Sequence, residues 1–384
     1  MRIVVLGTRG FPGVQGGVEK HCEELYPRLA KLGCDITVIT RAPYISPGKR
    51  NDEWRGLKFA HLWCPKKKSF EAITHTLLGL FEARRLKPDI LHIHGIGPAL
   101  LAPAAKRLGL SVVMTHHGPD YKRAKWGRAA RQVLKRGERN GVLASDAVIS
   151  ISNGIREDLR ALYGRDSFLI PNGVTVRKPA PPGAGLGRFG LLPGKYMFLA
   201  CRFVEEKGIH DLIAAYSALK APGHKLVIAG DADHETEYSK RVKQLAASTE
   251  GVVLAGFQTG ETLSELFSNA ACFVLPSYHE GLPIALLEAL SYGLPSLVSD
   301  IPAHRELPLN GEVYFKPGDR EALAKALSIA MEGGFEAERR KYTGIIEARF
   351  DWDSIAASTL DVYREVLIGS ASASKSGHPV LGLR

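Results

Sequence analysis

The stretch His279-Glu280-Gly281-Leu282-Pro283-Ile284-Ala285-Leu286-Leu287-Glu288-Ala289-Leu290 sets two carboxylates eight positions apart, the second inside an otherwise apolar helical segment. The run Ala271-Cys272-Phe273-Val274-Leu275-Pro276 leads straight into it and reads as a buried strand. Pro283 suits a first helical turn, where its missing N–H costs nothing. The free N–H groups and dipole of such a turn favour an anion or sugar oxygens. Glu288 has Leu287, Ala289 and Leu290 as neighbours, and a charge in that setting is costly without a partner. A purely structural pairing of Glu288 with an Arg or a backbone donor is the plain alternative.

Outward from this segment the chain alternates short apolar runs with helical patterns, which argues for parallel, doubly wound sheets. Expected strands of the first half are Arg2–Leu6, Asp35–Thr40, Ile90–His94, Ser111–Thr115 and Ala147–Ser150, with a helix over Val18–Leu32. Residues 179–195 are rich in Pro and Gly and fit a linker. Strands are expected again at Tyr196–Ala200, Lys225–Ala229, Val252–Ala255, Cys272–Leu275, Ser296–Ser299 and Glu312–Phe315. Two such α/β halves, 1–178 and 196–350, leave a cleft facing the carboxyl ends of both sheets, where open α/β sheets bind ligands. Residues 351–368 read as one amphipathic helix, and the Ser-, Ala- and Gly-rich tail 369–384 as disordered.

At 384 residues the chain is long enough for two ordinary domains, and no run approaches about 18 apolar residues. The N-terminus enters a strand directly, without the features of a signal peptide. Five scattered cysteines without C-x-x-C pairs read as reduced thiols of a cytoplasmic protein. The net charge of +11 is uneven: residues 1–180 hold 31 Lys+Arg against 15 Asp+Glu. The first half therefore faces an anionic partner. Between Asp120 and Arg139 eight basic residues stand against two acids, with Trp126, Ala130, Val133 and Leu134 at helical spacing. A basic amphipathic helix of this kind reads as binding an anionic membrane surface, with Lys66-Lys67-Lys68 extending the patch. The alternative is a solvated face with Trp126 and Val133 in the core. Nucleic acid is not expected, since several interleaved aromatics and a nucleic-acid module are lacking.

Arg202 and Lys207 follow the strand Tyr196–Ala200, so both cations would aim into the cleft. Arg can clamp phosphate oxygens with two N–H groups, and Lys acts as a point charge. A surface pairing with Glu205 and Glu206 is the alternative. Gly7 to Gly17 forms a long glycine loop after the first strand, able to approach phosphates or an acceptor closely. The loop is G-x-x-G-x-x-G, and the next strand ends Ile39-Thr40-Arg41 without an acid for a ribose. Arg41 would suit a 2′-phosphate, which keeps an NADP oxidoreductase as an alternative that leaves the second-half motifs without a role.

Four segments, in order, resemble the retaining glycosyltransferases of family 4. They are the Glu280–Glu288 pair with its E-x7-E spacing, the segment from Tyr196 through Arg202 to Lys207-Gly208, the turn Ile170-Pro171-Asn172-Gly173-Val174, and the loop Gly16-Gly17-Val18-Glu19. The resemblance spans roughly residues 1–365 and implies the GT-B fold, two Rossmann-like doubly wound parallel-sheet domains facing a central cleft, with helix 351–368 crossing back onto the first. It implies that Glu280 and the N–H groups of Gly281 and Leu282, ahead of Pro283, hold sugar hydroxyls, while Glu288 accepts from ribose hydroxyls. Gly16, Gly17, Arg202 and Lys207 would complete the donor site. A histidine beside the donor sugar is also implied: His-Gly alignment favours His117, with His116 open and His94 less supported. No cofactor is implied beyond the nucleotide diphosphate sugar substrate, and no metal, because Arg202 and Lys207 can meet the leaving diphosphate. Asp231-Ala232-Asp233 mimics the D-x-D metal signature of the other large glycosyltransferase fold but reads as a loop without metal. The acceptor would be a glycan or lipid-linked glycan of bacterial cell-surface polysaccharide or lipopolysaccharide, at the inner membrane face. A nucleotide-sugar epimerase of the same architecture is the alternative enzyme.

Overall fold

The computed structural model describes residues 1–45, 52–65, 68–123, 126–219 and 223–375. Its first sheet contains β1 (Arg2–Leu6), β2 (Asp35–Arg41), β3 (Glu53–Trp54), β4 (Leu57–Leu62), β5 (Ile90–His94), β6 (Val112–His116), β7 (Ala147–Ser150) and β8 (Phe168–Leu169), in the order β3-β4-β2-β1-β5-β6-β7-β8. Every pairing is parallel except β3 with β4, which form a short antiparallel edge that the alternation did not reveal. The second sheet is wholly parallel: β9 (Tyr196–Ala200), β10 (Lys225–Ala229), β11 (Val252–Gly256), β12 (Cys272–Leu275), β13 (Ser296–Ser299) and β14 (Tyr314–Phe315) lie in the order β11-β10-β9-β12-β13-β14. The central strands are apolar almost throughout because helices cover both faces: Met197, Phe198, Val227, Phe273 and Val274 have no exposed surface.

Residues 179–195 carry structure of their own. Ala184–Arg188 is helical and packs against the helix Gly260–Ser268. There the Glu265 carboxylate accepts from the Gly183 and Leu186 N–H groups at 3.0 and 3.1 Å, while Leu186 and Leu191 enter the core. The chain passes between the two sheets twice, side by side, at the parallel bridge Val174–Asp351. Beyond it Trp352, 1% exposed, packs its ring against His21 with centroids 5.5 Å apart. The final helix, Trp352–Lys375, runs along the helix Gly17–Lys31 of the first unit, pinned by Arg28 Nε to Asp353 at 2.9 Å. It continues past the expected end at 368, so the first part of the 369–384 tail is helical, and residues 376–384 lie outside the description. Among the described residues no helix is long and apolar enough to cross a membrane.

Candidate active site

The loops leaving β1, β6, β9, β10 and β12 meet across the cleft between the sheets. Arg9, in the loop after β1, bonds Asp233, in the loop after β10, at 2.8 Å. Asn172 Nδ2 donates to the Leu282 carbonyl at 2.7 Å, and Arg123 Nε lies 3.6 Å from Glu206. Tightest is the approach of Gly281 to the His117 carbonyl: a Cβ on Gly281 would stand 2.3 Å from that oxygen. Only glycine permits this contact, which joins the Glu280 turn to the His117 loop.

Lys207 and Glu280 are brought together: Nζ lies 2.5 Å from Oε1, and Ser277 Oγ donates to the same oxygen at 2.6 Å. Burial alone would push the Glu280 carboxyl up, but the Lys207 charge and these hydrogen bonds outweigh it and hold the pKa below the ordinary value. Arg202 donates to Asp233 at 3.0 Å, and Asp233 also receives Arg9. Arg9 in turn pairs with Glu19 through Nε at 3.1 Å and donates to the Gln15 carbonyl. Burial opposes the charge on Arg9, yet Glu19 and Asp233 overcome that penalty and raise its pKa. Two carboxylates and two guanidiniums thus line the cleft beside the Lys207–Glu280 pair, each cation balanced, as buried charges must be.

Gly16 caps the helix Gly17–Lys31 at φ 158°, and a Cβ there would fall 1.9 Å from Glu19 Oε2. The glycine is therefore what lets Glu19 fold back onto Arg9. Gly17 is open on the same side, with nothing within 4 Å of a Cβ position. Pro283 stands one position earlier than the first helical residue: it is the cap of the helix Ile284–Ser291, its carbonyl receiving the Leu286 N–H at 3.1 Å. Glu288 lies on that helix away from Glu280, in a pocket with Lys20, Glu24, Thr175, Arg177 and Trp352. Burial raises its pKa, and Lys20 and Arg177 offset this only in part.

The two histidines at the end of β6, His116 within it and His117 just after, separate cleanly. His116, 1% exposed, gives its Nε2–H to Glu138 at 2.9 Å while Nδ1 accepts from the Gly118 N–H, so it belongs to the interior of the first unit. His117 is half-buried at the cleft, its Nε2 2.9 Å from His94 Nδ1. His94 is buried behind it, with Tyr26 OH at 2.5 Å from Nε2.

Several expectations need correction. The basic stretch 120–139 is not one helix: a short turn covers Asp120–Lys122 and the helix proper is Arg128–Ala144. Arg123 leaves the basic face and joins the cleft beside Asp120 and Glu206. Val133 is 44% exposed rather than in the core. The side chains of Lys66-Lys67-Lys68 lie outside the described residues. Arg41 is held by Glu71 at 2.6 Å, which removes the basis for a 2′-phosphate contact. Both Asp231 and Asp233 are engaged by cations, Asp231 by Lys243 at 2.9 Å. Arg9, Glu19, Arg123 and Ser277 join the cleft without being singled out as site residues by the sequence, while Asp233 stands there in the loop that mimics D-x-D. Glu19 lay within a quoted motif, while Arg123 carried no signal because its role depends on where the chain turns after Lys122.

Residues 15–178 match the family described as Glycosyltransferase Family 4, and residues 192–347 match glycosyl transferases group 1. The chain belongs to glycosyltransferase family 4. The glycogen synthase of Mycobacterium tuberculosis is 28% identical to it, covering 94% of each chain. The GDP-mannose:cellobiosyl-diphosphopolyprenol alpha-mannosyltransferase of Xanthomonas campestris is 30% identical over 73% of this chain and 74% of its own. Among solved structures, sucrose-phosphate synthase from Thermosynechococcus elongatus superposes with a TM-score of 0.80 at 21% identity, covering 96% of this chain and 99% of its own. This family 4 chain is thus a glycosyltransferase of GT-B architecture that uses nucleotide sugars.

Proposed function

We propose that this glycosyltransferase moves a hexose or deoxyhexose from its nucleotide diphosphate, with retention, to a glycan or lipid-linked acceptor at an anionic membrane face. The observation that carries the donor reading is the pairing of Lys207 with Glu280 at the carboxyl end of the second sheet, beside Asp233, which holds both Arg202 and, from the facing sheet, Arg9. When the donor enters, Lys207 and Arg202 exchange part of their carboxylate contact for phosphate oxygens and stabilise the charge that grows on the leaving diphosphate. Glu280, freed on one side, accepts from sugar hydroxyls, with the Gly281 and Leu282 N–H groups beside it. The acceptor hydroxyl attacks the face the diphosphate leaves, and a phosphate oxygen takes its proton. His117 stands beside Gly281 and orients the sugar. Glu288 takes the ribose hydroxyls from the following helix.

This reading invokes no divalent metal, since Arg202 and Lys207 meet the diphosphate charge; Asp231 and Asp233 pair with Lys243, Arg9 and Arg202. The membrane-facing surface is read from the first unit. Arg128, Arg131, Lys135, Arg136 and Arg139 are exposed on one helix. The helix Lys68–Leu86 exposes Ile73, Leu77 and Phe81 at four-residue spacing, with Trp63 66% exposed. Both helices pack on Pro98–Leu101, so cations and apolar side chains belong to one side of the unit, as an interfacial surface requires. The relative from Xanthomonas campestris, by its name, acts on a diphosphopolyprenol-linked glycan, which favours a lipid-linked acceptor.

The test is product stereochemistry. Proton NMR of the transferred sugar should show the anomeric configuration of the donor, and Glu280→Gln should abolish transfer while nucleotide binding persists. An inverted product, or near-normal turnover in Glu280→Gln, would overturn the proposal.

A further inference from the structure

Three histidines converge behind the cleft and bring together ring nitrogens beyond the sugar contact proposed for His117. His21 lies on the helix Gly17–Lys31, His94 at the end of β5 and His117 just after β6. One ring nitrogen from each lies within 4.8 Å of the other two. Their ring centroids stand 5.5, 4.9 and 5.2 Å apart.

The hydrogen bonds fix which nitrogens face inward. Asn172 gives its amide N–H to the Leu282 carbonyl at 2.7 Å, so its Oδ1 is an acceptor. His21 Nδ1, 2.9 Å from that oxygen, must therefore carry the proton, which leaves Nε2 as a bare lone pair. His21 is 3% exposed and its Nε2 has no hydrogen-bond partner. A buried acceptor left without a donor costs about 1–3 kcal/mol. A hydrophobic packing role explains the burial of the ring but not the unpaired nitrogen.

We propose that His21, His94 and His117 form a three-imidazole site for a divalent zinc-type cation, with its fourth position open toward the cleft. Imidazole nitrogens about 2.0–2.1 Å from zinc lie roughly 3.3 Å from each other in a tetrahedral sphere. The spacings here bracket that value: 2.9 Å between His94 Nδ1 and His117 Nε2, and at most 4.8 Å for any pair. Binding needs a small inward shift and one tautomer exchange, with no net loss of a proton. His94 keeps its hydrogen on Nε2, facing the Tyr26 oxygen at 2.5 Å, and His117 moves its own from Nε2, where it bridges to His94 Nδ1 at 2.9 Å, to Nδ1. His21 retains Nδ1–H on Asn172. Outer partners of this kind orient metal-bound imidazoles and raise their basicity. Burial already keeps the rings neutral at pH 7, His21 with a pKa lowered to about 4 and His94 and His117 well below the usual value. Occupied, the site ties the His117 loop to the helix Gly17–Lys31 and to β5. The site shares His117 with the proposed donor reading, on which it rests in that respect, since zinc on Nε2 leaves the His117 Nδ1–H for the sugar; the D-x-D loop takes no part in it.

Cobalt(II) tests it directly, since a tetrahedral nitrogen-rich site gives intense visible bands that octahedral aqueous cobalt lacks. Titration of the full chain should give such bands at one equivalent, displaced by zinc. His21→Gln and His94→Gln should abolish them, His224→Gln in the second unit should keep them, and Asn172→Ala should weaken zinc binding about 10–100-fold. Crystals of the unaltered protein soaked in zinc should show an anomalous peak among the three rings, a readout that survives if a variant fails to fold. Absence of the bands and of the peak at millimolar metal, or bands that persist in His21→Gln, would overturn the proposal.

Discussion

Removing the ammonium of Lys207 while keeping its stem, as in Lys207→Met, strands the Glu280 carboxylate in a buried turn. The pair is close, 2.5 Å, with side chains 18% and 10% exposed. At that distance and an effective dielectric of about 20 the gross attraction is roughly 7 kcal/mol. Desolvation of both groups offsets most of this, so the expected loss is the cost of an orphaned buried charge, about 3–5 kcal/mol. Ser277 still donates to the carboxylate and places the value at the lower end, near 3 kcal/mol. Glu280→Gln keeps the Ser277 acceptor and lets Lys207 reach toward solvent, so about 1–2 kcal/mol is expected. In the double variant neither charge is stranded, and the coupling should be about 2–3 kcal/mol. Urea denaturation followed by circular dichroism measures the four corners of the cycle. The pH sign follows from the lowered Glu280 pKa: its stabilisation is present above the unfolded value near 4.5 and lost as pH falls through the lower folded one. Losses that add to within about 0.5 kcal/mol would show that the pair is not coupled, and would refute the reasoning.

Glu288 should behave oppositely. Burial raises its pKa, so the folded chain binds that proton more tightly, and the resulting stabilisation fades as pH rises from about 4.5 through the raised value. Glu288→Gln should therefore raise the unfolding midpoint at pH 7.5 while weakening nucleotide affinity; a lowered midpoint would refute this. Glu265→Ala removes the acceptor of the Gly183 and Leu186 N–H groups and should cost about 2 kcal/mol in denaturant melts, with little change in turnover. Reversing Arg131 and Arg136 to Glu should lower affinity for phosphatidylglycerol vesicles at least tenfold at low salt, since each cation near an anionic surface contributes about 1 kcal/mol. Unchanged co-sedimentation would remove that face from the membrane reading.

The strands that face the cleft were legible because parallel sheets bury both faces and so write themselves as unbroken apolar runs; β1, β5, β7, β9, β10, β12 and β13 occupy the expected residues. The edge strands were not. β4 reads Leu57-Lys58-Phe59-Ala60-His61-Leu62, an alternating pattern within a charged stretch, and β3 and β8 are two residues each. The basic run misled because the count of charges on residues 120–139 does not reveal the turn after Lys122, which sends Arg123 into the cleft. Of the site, the cations and acids of the second unit were readable from strand-end position. Their partners in the first unit, Arg9 and Glu19, were not, because the contact between Arg9 and Asp233 spans more than two hundred residues and exists only once both sheets are folded and facing.

The central claim is that Arg202 and Lys207 grip the donor's diphosphate in the groove bordered by Glu280. Isothermal titration of the unaltered chain, Arg202→Ala and Lys207→Ala with the best-binding member of a UDP, GDP, dTDP and ADP series measures it most directly. The account predicts at least a tenfold weakening in each variant with the fold intact by circular dichroism, whereas equal affinity in all three proteins would contradict it.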